Sequence, residues 1–223
     1  MNLSEEGWID AYKRKDALWM HDGNVKRPHA LLTSGLHSDG FFNSRLVIPD
    51  EELLRKAAED LVFLLCREGL SILNVGVVVG PQTGATRLAE LISNVIMKLR
   101  GWKCNFASPA KDEMGNKKSM VFSSSDRMLV LGRYSLLCED VLTTGGSVGL
   151  TASAIRNCGG LVLPFIGALV NRSGKDMVGR SKIVALISRG MPMWQPEECP
   201  LCAVGSEAIR PKGENWARLN AKY

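Results

Sequence analysis

Hydrophobic and polar positions form blocks along the first half of the chain, and each block predicts one element. Between Glu51 and Arg67 apolar residues recur with helical spacing, and Gly69 follows where the pattern ends. Residues 75–79 form a short, continuously apolar segment, which is typical of a strand buried on both faces. A second helix follows, with an apolar face made of Leu88, Leu91, Ile92, Val95, Ile96 and Leu99.

The second half of the chain continues the same alternation. Further strands are expected at 104–108, 136–142, 161–170 and 183–187, with a polar stretch before residue 126 and a helix that buries Val148, Ala152 and Ile155. Alternating strands and helices predict an α/β fold with a mostly parallel central sheet flanked by helices. We assign residues 51–190 to this core, residues 1–50 to an N-terminal hood segment, and residues 191–223 to a C-terminal tail that packs on the hood.

Composition adds few constraints. The 223 residues are 45% hydrophobic and 23% charged, with a formal net charge of +5, as is ordinary for a soluble globular protein. No clustered basic face suggests a nucleic-acid partner. The first residues lack the basic start and apolar run of a signal peptide, and no apolar stretch approaches the length of a membrane span. We therefore expect a cytoplasmic protein without a nucleic-acid or membrane partner.

The six cysteines do not form a disulfide framework in a chain of this length. Four of them lie within or beside apolar elements and are expected to be reduced core thiols: Cys66, Cys104, Cys138 and Cys158. Cys199 and Cys202 form a single CxxC pair. A structural zinc needs four ligands, and no second cysteine pair or histidine pair lies nearby in the sequence. A tight turn is favoured, and the alternative is that two subunits pool their pairs at a symmetric contact.

The segment 136–147 carries the most informative chemistry. An apolar strand contains Glu139 and Asp140 and leads into a small-residue turn made of Thr143, Thr144, Gly145, Gly146 and Ser147. Backbone N–H groups, hydroxyls and the positive end of the following helix suit a phosphate. Adjacent carboxylates suit the vicinal hydroxyls of a sugar, with a divalent cation as a further partner. A ribose 5-phosphate would satisfy both halves, and the alternative is an ordinary strand–turn–helix connection with a chance acidic pair.

This segment resembles the signature with which type I phosphoribosyltransferases bind phosphoribosyl pyrophosphate (PRPP). The resemblance implies the type I phosphoribosyltransferase fold, with Glu139 and Asp140 on the ribose and residues 143–147 on the 5-phosphate. It also gives a role to a second strand-to-helix turn, Gly80, Pro81, Gln82, Thr83 and Gly84, because the family holds pyrophosphate with a loop at this place, often through an unusual peptide geometry. Arg87 either adds charge there or is a solvated helix residue.

Further segments of the chain resemble those of the orotate phosphoribosyltransferase branch of that family. Residues 32–43 contain its Ser-Gly turn followed by Phe41 and Phe42, which the resemblance places in the base pocket together with Thr143. Stacking faces suit a flat base, although the two rings could also be core aromatics. In the segment 170–174, Arg172 inherits the role of pairing with the carboxylate of orotate, for which a guanidinium is suited. Residues 195–202 resemble the C-terminal segment of one bacterial group.

The resemblance implies transfer of phosphoribosyl from PRPP to orotate, which gives orotidine 5′-monophosphate and pyrophosphate. Mg²⁺ is the implied cofactor, bound through PRPP with Glu139 and Asp140 as candidate ligands. The implied catalytic residues are Asp140, Glu139 and Lys111. Lys111 would be the catalytic cation of a lid at 111–125. In the family this lid reaches into the neighbouring subunit, so a homodimer is implied.

Three departures from the family pattern put the identity of the base in doubt. Thr83 stands in a loop that often carries a lysine, Thr33 replaces another common lysine, and the segment 110–118 lacks the histidine that is usual in the lid. Two alternatives therefore stay open. The chain could be a phosphoribosyltransferase for another base, or a non-catalytic regulator that binds PRPP, although no helix-turn-helix segment or basic stripe supports the latter.

Overall fold

A computed structural model of the chain describes residues 2–112 and 118–223. The helices among these residues are α1 (Glu5–Arg14), α2 (Glu51–Arg67), α3 (Thr86–Arg100), α4 (Ser124–Val130), α5 (Gly146–Asn157), α6 (Pro200–Ala203) and α7 (Glu214–Asn220). The strands are β1 (Leu18–Met20), β2 (His29–Leu31), β3 (His37–Ser38), β4 (Gly40–Phe42), β5 (Val77–Val79), β6 (Asn105–Ala107), β7 (Ala110–Asp112), β8 (Ser119–Val121), β9 (Tyr134–Leu142), β10 (Leu161–Asn171), β11 (Met177–Val178), β12 (Ser181–Ser188) and β13 (Ala208–Ile209).

The largest sheet has six strands in the order β11-β12-β10-β9-β5-β6. All neighbouring pairs in it are parallel except β11, which runs antiparallel to β12. This arrangement confirms the predicted α/β fold with a mostly parallel central sheet. Because β5 and β9 are neighbours, the loops that follow them emerge side by side at the carboxyl edge of the sheet, where ligands bind in such folds.

Local sequence signals explain the two long helices on one face of this sheet. The side chain of Asp50 caps α2 by accepting a hydrogen bond from the backbone N–H of Leu53 at 3.0 Å. The helix α3 ends at Gly101, whose φ of 84° is the left-handed conformation that glycine adopts readily. Leu99, in the last turn of α3, is 62% exposed, so the predicted apolar face ends at Ile96.

Two apolar clusters lie on the two sides of the sheet. One includes residues of α1, α2 and α3, and the other includes residues of α4, α5 and β8. The helix α1 lies in the segment predicted as a hood, yet it packs on the core. Trp8 is 1% exposed there, and its indole Nε1 donates to Asp60 Oδ2 at 3.2 Å.

A smaller layer, which we call the hood, consists of β1 with β4 and of the sheet β13-β2-β3. The tail strand β13 pairs in parallel with β2, placing Ala208 opposite His29. Trp19 is buried in this layer and donates from Nε1 to the carbonyl of Leu219 at 2.8 Å. The C-terminal tail thus completes the hood, because β13 pairs with a strand that comes before residue 50.

Two further details differ from the sequence predictions, and part of one prediction falls outside the described residues. The polar stretch before residue 126 is no plain loop, because β7 and β8 pair in it as an antiparallel hairpin and α4 begins at Ser124. Part of the predicted lid, residues 113–117, lies outside the described residues. Cys66 is exposed, whereas Cys104 and Cys138 are buried as expected. Every helix in the described parts of the chain is too short or too polar to cross a membrane.

Candidate active site

The phosphate turn between β9 and α5 is compact because of one glycine. Gly145 has a φ of 83°, and a Cβ there would lie 2.7 Å from Cγ2 of Val178. The helix α5 then starts at Gly146, whose backbone is exposed, and Ser147 is half-buried. Thr143 and Thr144 complete the turn. The five predicted phosphate-binding residues therefore lie at the N-terminal end of a twelve-residue helix, and the first N–H groups of a helix have no partner within the helix and suit an anion.

The two carboxylates that precede this turn differ in environment. Glu139 is 7% exposed, whereas Asp140 is half-buried. Burial raises the pKa of Glu139 well above its ordinary value, and the adjacent charge of Asp140 raises it further. The ammonium of Lys111 on β7 acts in the opposite direction and lowers the pKa of Glu139. Lys111 is thus within electrostatic reach of the acidic pair of its own chain, and a donor or cation placed beside Glu139 would relieve the unfavourable burial.

The loop after β5 closes onto the acidic pair. A Cβ on Gly84 would lie 2.6 Å from Oδ2 of Asp140, so only glycine lets the loop backbone approach this carboxylate. Gly80 is similarly confined, because a Cβ there would lie 2.4 Å from the carbonyl oxygen of Ala85. The peptide bond between Gln82 and Thr83 is cis, which is the kind of unusual geometry that the resemblance implies for this loop.

Ser108, at the end of β6, holds this loop in place. Its hydroxyl donates to the carbonyl of Gly80 at 2.7 Å and lies 2.6 Å from Oγ1 of Thr86. The side-chain amide of Gln82 donates to the carbonyl of Ser108 at 3.0 Å. Ser108 has no distinguishing signal in the sequence, because nothing in the local pattern shows that β6 lies beside β5.

Arg87 does not face the loop as a free cation. It is paired through Nη2 with Glu51 at 2.5 Å and through Nη1 with Glu90 at 2.6 Å. Both partners raise the pKa of Arg87, and both ion pairs lie at the surface of α2 and α3. The geometry therefore favours the alternative in which Arg87 is a helix-surface residue.

Arg172 is the most unusual charged residue of the site. It is 1% exposed, and burial lowers its pKa to about 10. Its Nη2 donates to Oγ of Ser38 at 2.7 Å, while Nε and Nη1 have no hydrogen-bond partner within residues 2–112 and 118–223. Oδ1 of Asp39 is likewise buried without a partner in that part of the chain, and its charge raises the pKa of Arg172 against the effect of burial. Ser38 and Asp39 lie in the motif 32–43, but no role was assigned to them from sequence.

Arg172 also lies beside the phosphate turn. Its backbone N–H donates to the carbonyl of Leu142 at 2.9 Å, one residue before Thr143. A buried guanidinium with unsatisfied donors is unfavourable unless an acceptor reaches it. The chain therefore holds a buried cation, ready for an anionic group, next to the predicted ribose-phosphate site.

The two predicted base-pocket rings point to different places, because successive residues of a strand face opposite sides. Phe42 is 1% exposed and packs edge-on against Tyr12, with ring centroids 5.3 Å apart. This position in the core matches the alternative of a core aromatic, and a role for Phe42 in the base pocket stays a prediction. Phe41 is half-buried on the hood side, with its ring centroid 5.9 Å from that of Trp216. Phe41 thus remains the candidate wall for a base.

Comparisons with known proteins decide the family. The chain is 30% identical over 190 residues to an orotate phosphoribosyltransferase from Desulforamulus reducens, covering 85% of this chain and 90% of that protein. It is 29% identical over 209 residues to one from Heliobacterium modesticaldum, covering 94% and 98% of the two chains. The chain belongs to the orotate phosphoribosyltransferase family. This result confirms the resemblance found in the sequence motifs.

Solved structures agree at the level of the fold. The orotate phosphoribosyltransferase of Aeropyrum pernix superposes with a TM-score of 0.59 at 18% identity, covering 80% of this chain and 92% of that one. A phosphoribosyltransferase from Corynebacterium diphtheriae gives 0.56 at 17% identity, covering 82% and 95%. The type I phosphoribosyltransferase fold predicted from the sequence is therefore confirmed. No protein-family model matches the chain.

Proposed function

We propose that this member of the orotate phosphoribosyltransferase family transfers phosphoribosyl from PRPP to orotate, with release of pyrophosphate. The observation that carries the proposal is the buried guanidinium of Arg172, whose Nε and Nη1 have no partner among the described residues. A neutral base would leave these donors unpaired, whereas the carboxylate of orotate would accept hydrogen bonds and balance the charge. The choice of an anionic base thus follows from the electrostatics of this pocket.

The PRPP half of the site follows from two loops. The turn 143–147 offers backbone N–H groups and hydroxyls to the 5-phosphate, while Glu139 and Asp140 accept hydrogen bonds from the ribose hydroxyls. The loop 80–84 can approach Asp140 closely because Gly84 has no side chain, and it offers its backbone N–H groups to the pyrophosphate. Phosphate, ribose and leaving group would then lie along one edge of the sheet.

Catalysis in this arrangement needs no covalent attachment to the protein. As the bond between ribose C1 and the pyrophosphate oxygen lengthens, positive charge develops on the sugar, as in glycoside chemistry. Glu139 and Asp140 stabilise that charge, and Arg172 holds the orotate ring so that its nitrogen bonds to C1 as the bond to pyrophosphate breaks. The proton of that nitrogen passes to the departing pyrophosphate or to solvent. Two adjacent carboxylates are oxygen donors of the kind Mg²⁺ prefers, and bound Mg²⁺ would partly neutralise the pyrophosphate.

Lys111 is the proposed cation of the lid, and the homodimer is a further proposal. The electrostatic effect of Lys111 on Glu139 of its own chain supports a role within one subunit, while the family resemblance supports a lid shared between subunits. Mixing inactive Asp140→Asn and Lys111→Ala subunits distinguishes the two. A lid shared across a dimer restores roughly a quarter of wild-type activity, because half of the reassorted dimers carry one intact site. A lid confined to its own subunit restores none.

The direct test of function is consumption of orotate in the presence of PRPP and Mg²⁺, followed by the loss of orotate's ultraviolet absorbance. Parallel assays with uracil and with purine bases serve as controls for the choice of base. In the presence of PRPP we expect turnover with orotate but not with uracil or the purine bases, and we expect this turnover to require Mg²⁺. Turnover of a neutral base in preference to orotate would overturn the role of Arg172. Binding of PRPP without turnover of any base would favour a regulator. The buried thiols of Cys104 and Cys138 suit a reducing, cytoplasmic setting for this reaction.

A further inference from the structure

Four potential metal ligands meet in the hood. His29 lies on β2, His37 on β3, and Cys199 and Cys202 flank the start of α6. One ligand atom from each lies within 4.8 Å of all the others. His29, His37 and Cys199 are buried, with at most 7% of each exposed. No histidine pair lies near the CxxC in the sequence, and the fold supplies one from residues about 170 positions away.

The distances within the cluster match those between ligands of a tetrahedral metal. Nε2 of His29 lies 3.0 Å from Nδ1 of His37 and 3.5 Å from Sγ of both Cys199 and Cys202. Sγ of Cys202 lies 3.2 Å from Nδ1 of His37. Zinc bonded at about 2.0–2.3 Å to nitrogen and sulfur separates its ligand atoms by roughly 3.3–3.8 Å in a tetrahedron. These four distances lie within a few tenths of an ångström of the tetrahedral values, and the other two pairs of ligand atoms lie within 4.8 Å.

A hydrogen-bond chain orients His29 toward this centre. Oγ of Ser206 donates to the carbonyl of Arg27 at 2.6 Å, so its lone pairs are available to accept from Nδ1 of His29 at 2.8 Å. The proton of His29 is thereby held on Nδ1, and the lone pair on Nε2 points to the cysteines. Zinc-bound histidines usually have their second nitrogen fixed in this way.

The backbone fixes the remaining ligands. His37 exchanges two backbone hydrogen bonds with Trp194, at 2.9 and 3.0 Å, which ties β3 to the chain just before the cysteines. Ala203 donates its N–H to the carbonyl of Cys199 at 3.1 Å, and Gly205 donates to Cys202 at 2.9 Å, so the segment curls around the CxxC pair. The four side chains are thus positioned by the folded backbone of the hood.

We propose that this chain carries a structural zinc ion bound by His29, His37, Cys199 and Cys202. Two thiolates and two neutral imidazoles form a buried site with no net charge, and this soft tetrahedral set is the one that selects zinc. Four protein ligands leave no open position for a substrate, so the role is structural. The ion joins β2 and β3 to the C-terminal tail, and it thereby clamps the hood around Phe41 and Trp216. This proposal does not depend on the identity of the base.

The test is metal content and stability of the full chain produced in zinc-supplemented medium and dialysed against metal-free buffer. We expect about one zinc per chain, falling below roughly a tenth in Cys202→Ser, with a lower melting temperature that added Zn²⁺ does not restore. Cys66→Ser is the matched control, since Cys66 is an exposed free cysteine on α2, and it should keep both zinc and melting temperature.

A second measurement keeps the proposal testable if Cys202→Ser does not fold. Replacement of zinc by Co²⁺ in the wild-type chain should give the intense visible bands of tetrahedral cobalt together with thiolate charge-transfer absorption. Wild-type protein without zinc, with a melting temperature unchanged by added Zn²⁺ and with only the weak spectrum of hydrated Co²⁺, would overturn the proposal. A disulfide between Cys199 and Cys202, found by mass spectrometry in protein purified under reducing conditions, would overturn it equally.

Discussion

The catalytic edge and the hood cluster assemble their functional groups in opposite ways. At the catalytic edge, the acidic pair and the phosphate turn come from one run, 139–147, and each residue is positioned by its neighbours in the chain. In the hood, His29 and His37 meet Cys199 and Cys202 through long-range pairing, because β13 pairs with β2 and His37 pairs with Trp194. A site made by local backbone geometry is visible in a sequence, whereas a site made by tertiary contact requires the fold.

The two regions also differ in how their polar groups are satisfied. The edge buries Glu139 with a raised pKa and Arg172 with unpartnered donors, so it is unfavourable until ligands arrive. In the hood, His29, Ser206 and Arg27 form a continuous hydrogen-bond chain. Substitutions at the edge should therefore change turnover more than stability, and substitutions in the hood should do the reverse.

The largest effect is expected for Asp140→Asn. The amide keeps the shape of the side chain but removes the charge that stabilises the developing cation, so kcat should fall by at least about 10²–10³-fold. The melting temperature should stay close to that of wild type, because Asp140 is half-buried and the loss of its charge relieves repulsion with Glu139. Steady-state assay of orotate consumption and a thermal melt measure the two quantities. A fully active, well-folded variant would remove the role of Asp140.

Arg172→Gln should give the next largest effect. Loss of the guanidinium leaves the carboxylate of bound orotate unpaired, which is expected to lower kcat/KM for orotate by about 10²–10³-fold while the affinity for PRPP changes little. Arg87→Gln is the matched control, because its ion pairs lie at the surface and contribute about 1 kcal/mol or less to stability. An equal fall of kcat/KM in the two variants would mean that Arg172 contributes only to the overall positive charge of the protein and does not pair with orotate.

These expectations show how far the sequence alone reaches. The helix 51–67 has the predicted bounds because its apolar spacing and its cap at Asp50 are local features. The turn 143–147 was likewise found from its own residues. The sequence does not distinguish Phe41 from Phe42, because two adjacent rings of a strand face opposite sides and nothing local says which side is core. Cys66 was misplaced for the related reason that apolar surroundings in sequence do not ensure burial.

Some contacts have no local signal at all. That Ser108 holds the loop 80–84 depends on β6 lying beside β5. That Ser38 meets Arg172 depends on the hood folding over the carboxyl edge, across 134 residues. The same kind of long-range pairing brings the two histidines to the CxxC. The unpredicted part of each site is the part made by tertiary contact.

Gly84→Ala probes the closest approach between the two loops of the edge. A Cβ there would lie 2.6–2.9 Å from the carboxylate atoms of Asp140, so either the loop or the carboxylate must move. Displacement of a catalytic group by about 1 Å is expected to lower kcat by roughly 10²-fold, without a large change in melting temperature. Gly149→Ala is the control, since a Cβ at this position of α5 meets nothing within 4 Å. Unchanged kcat in Gly84→Ala would show that the loop does not need this contact.

Ser206→Ala should have the smallest effect on turnover, and it sharpens the comparison from the hood side. Removal of the hydroxyl takes away the acceptor that fixes the proton of His29 on Nδ1, so the affinity for zinc should fall by about 10–100-fold. Competition with a chromophoric chelator measures this affinity, while kcat with orotate should stay near the wild-type value because the hydroxyl lies outside the catalytic edge.

Two control variants test whether the hydroxyl itself is responsible. Ser206→Thr, which keeps the hydroxyl, should recover most of the affinity for zinc. Ser153→Ala removes an exposed hydroxyl on α5 and should leave the affinity unchanged. If Ser206→Ala lowered the melting temperature equally with and without zinc, the hydroxyl would act only on folding, and His29 would be oriented by packing.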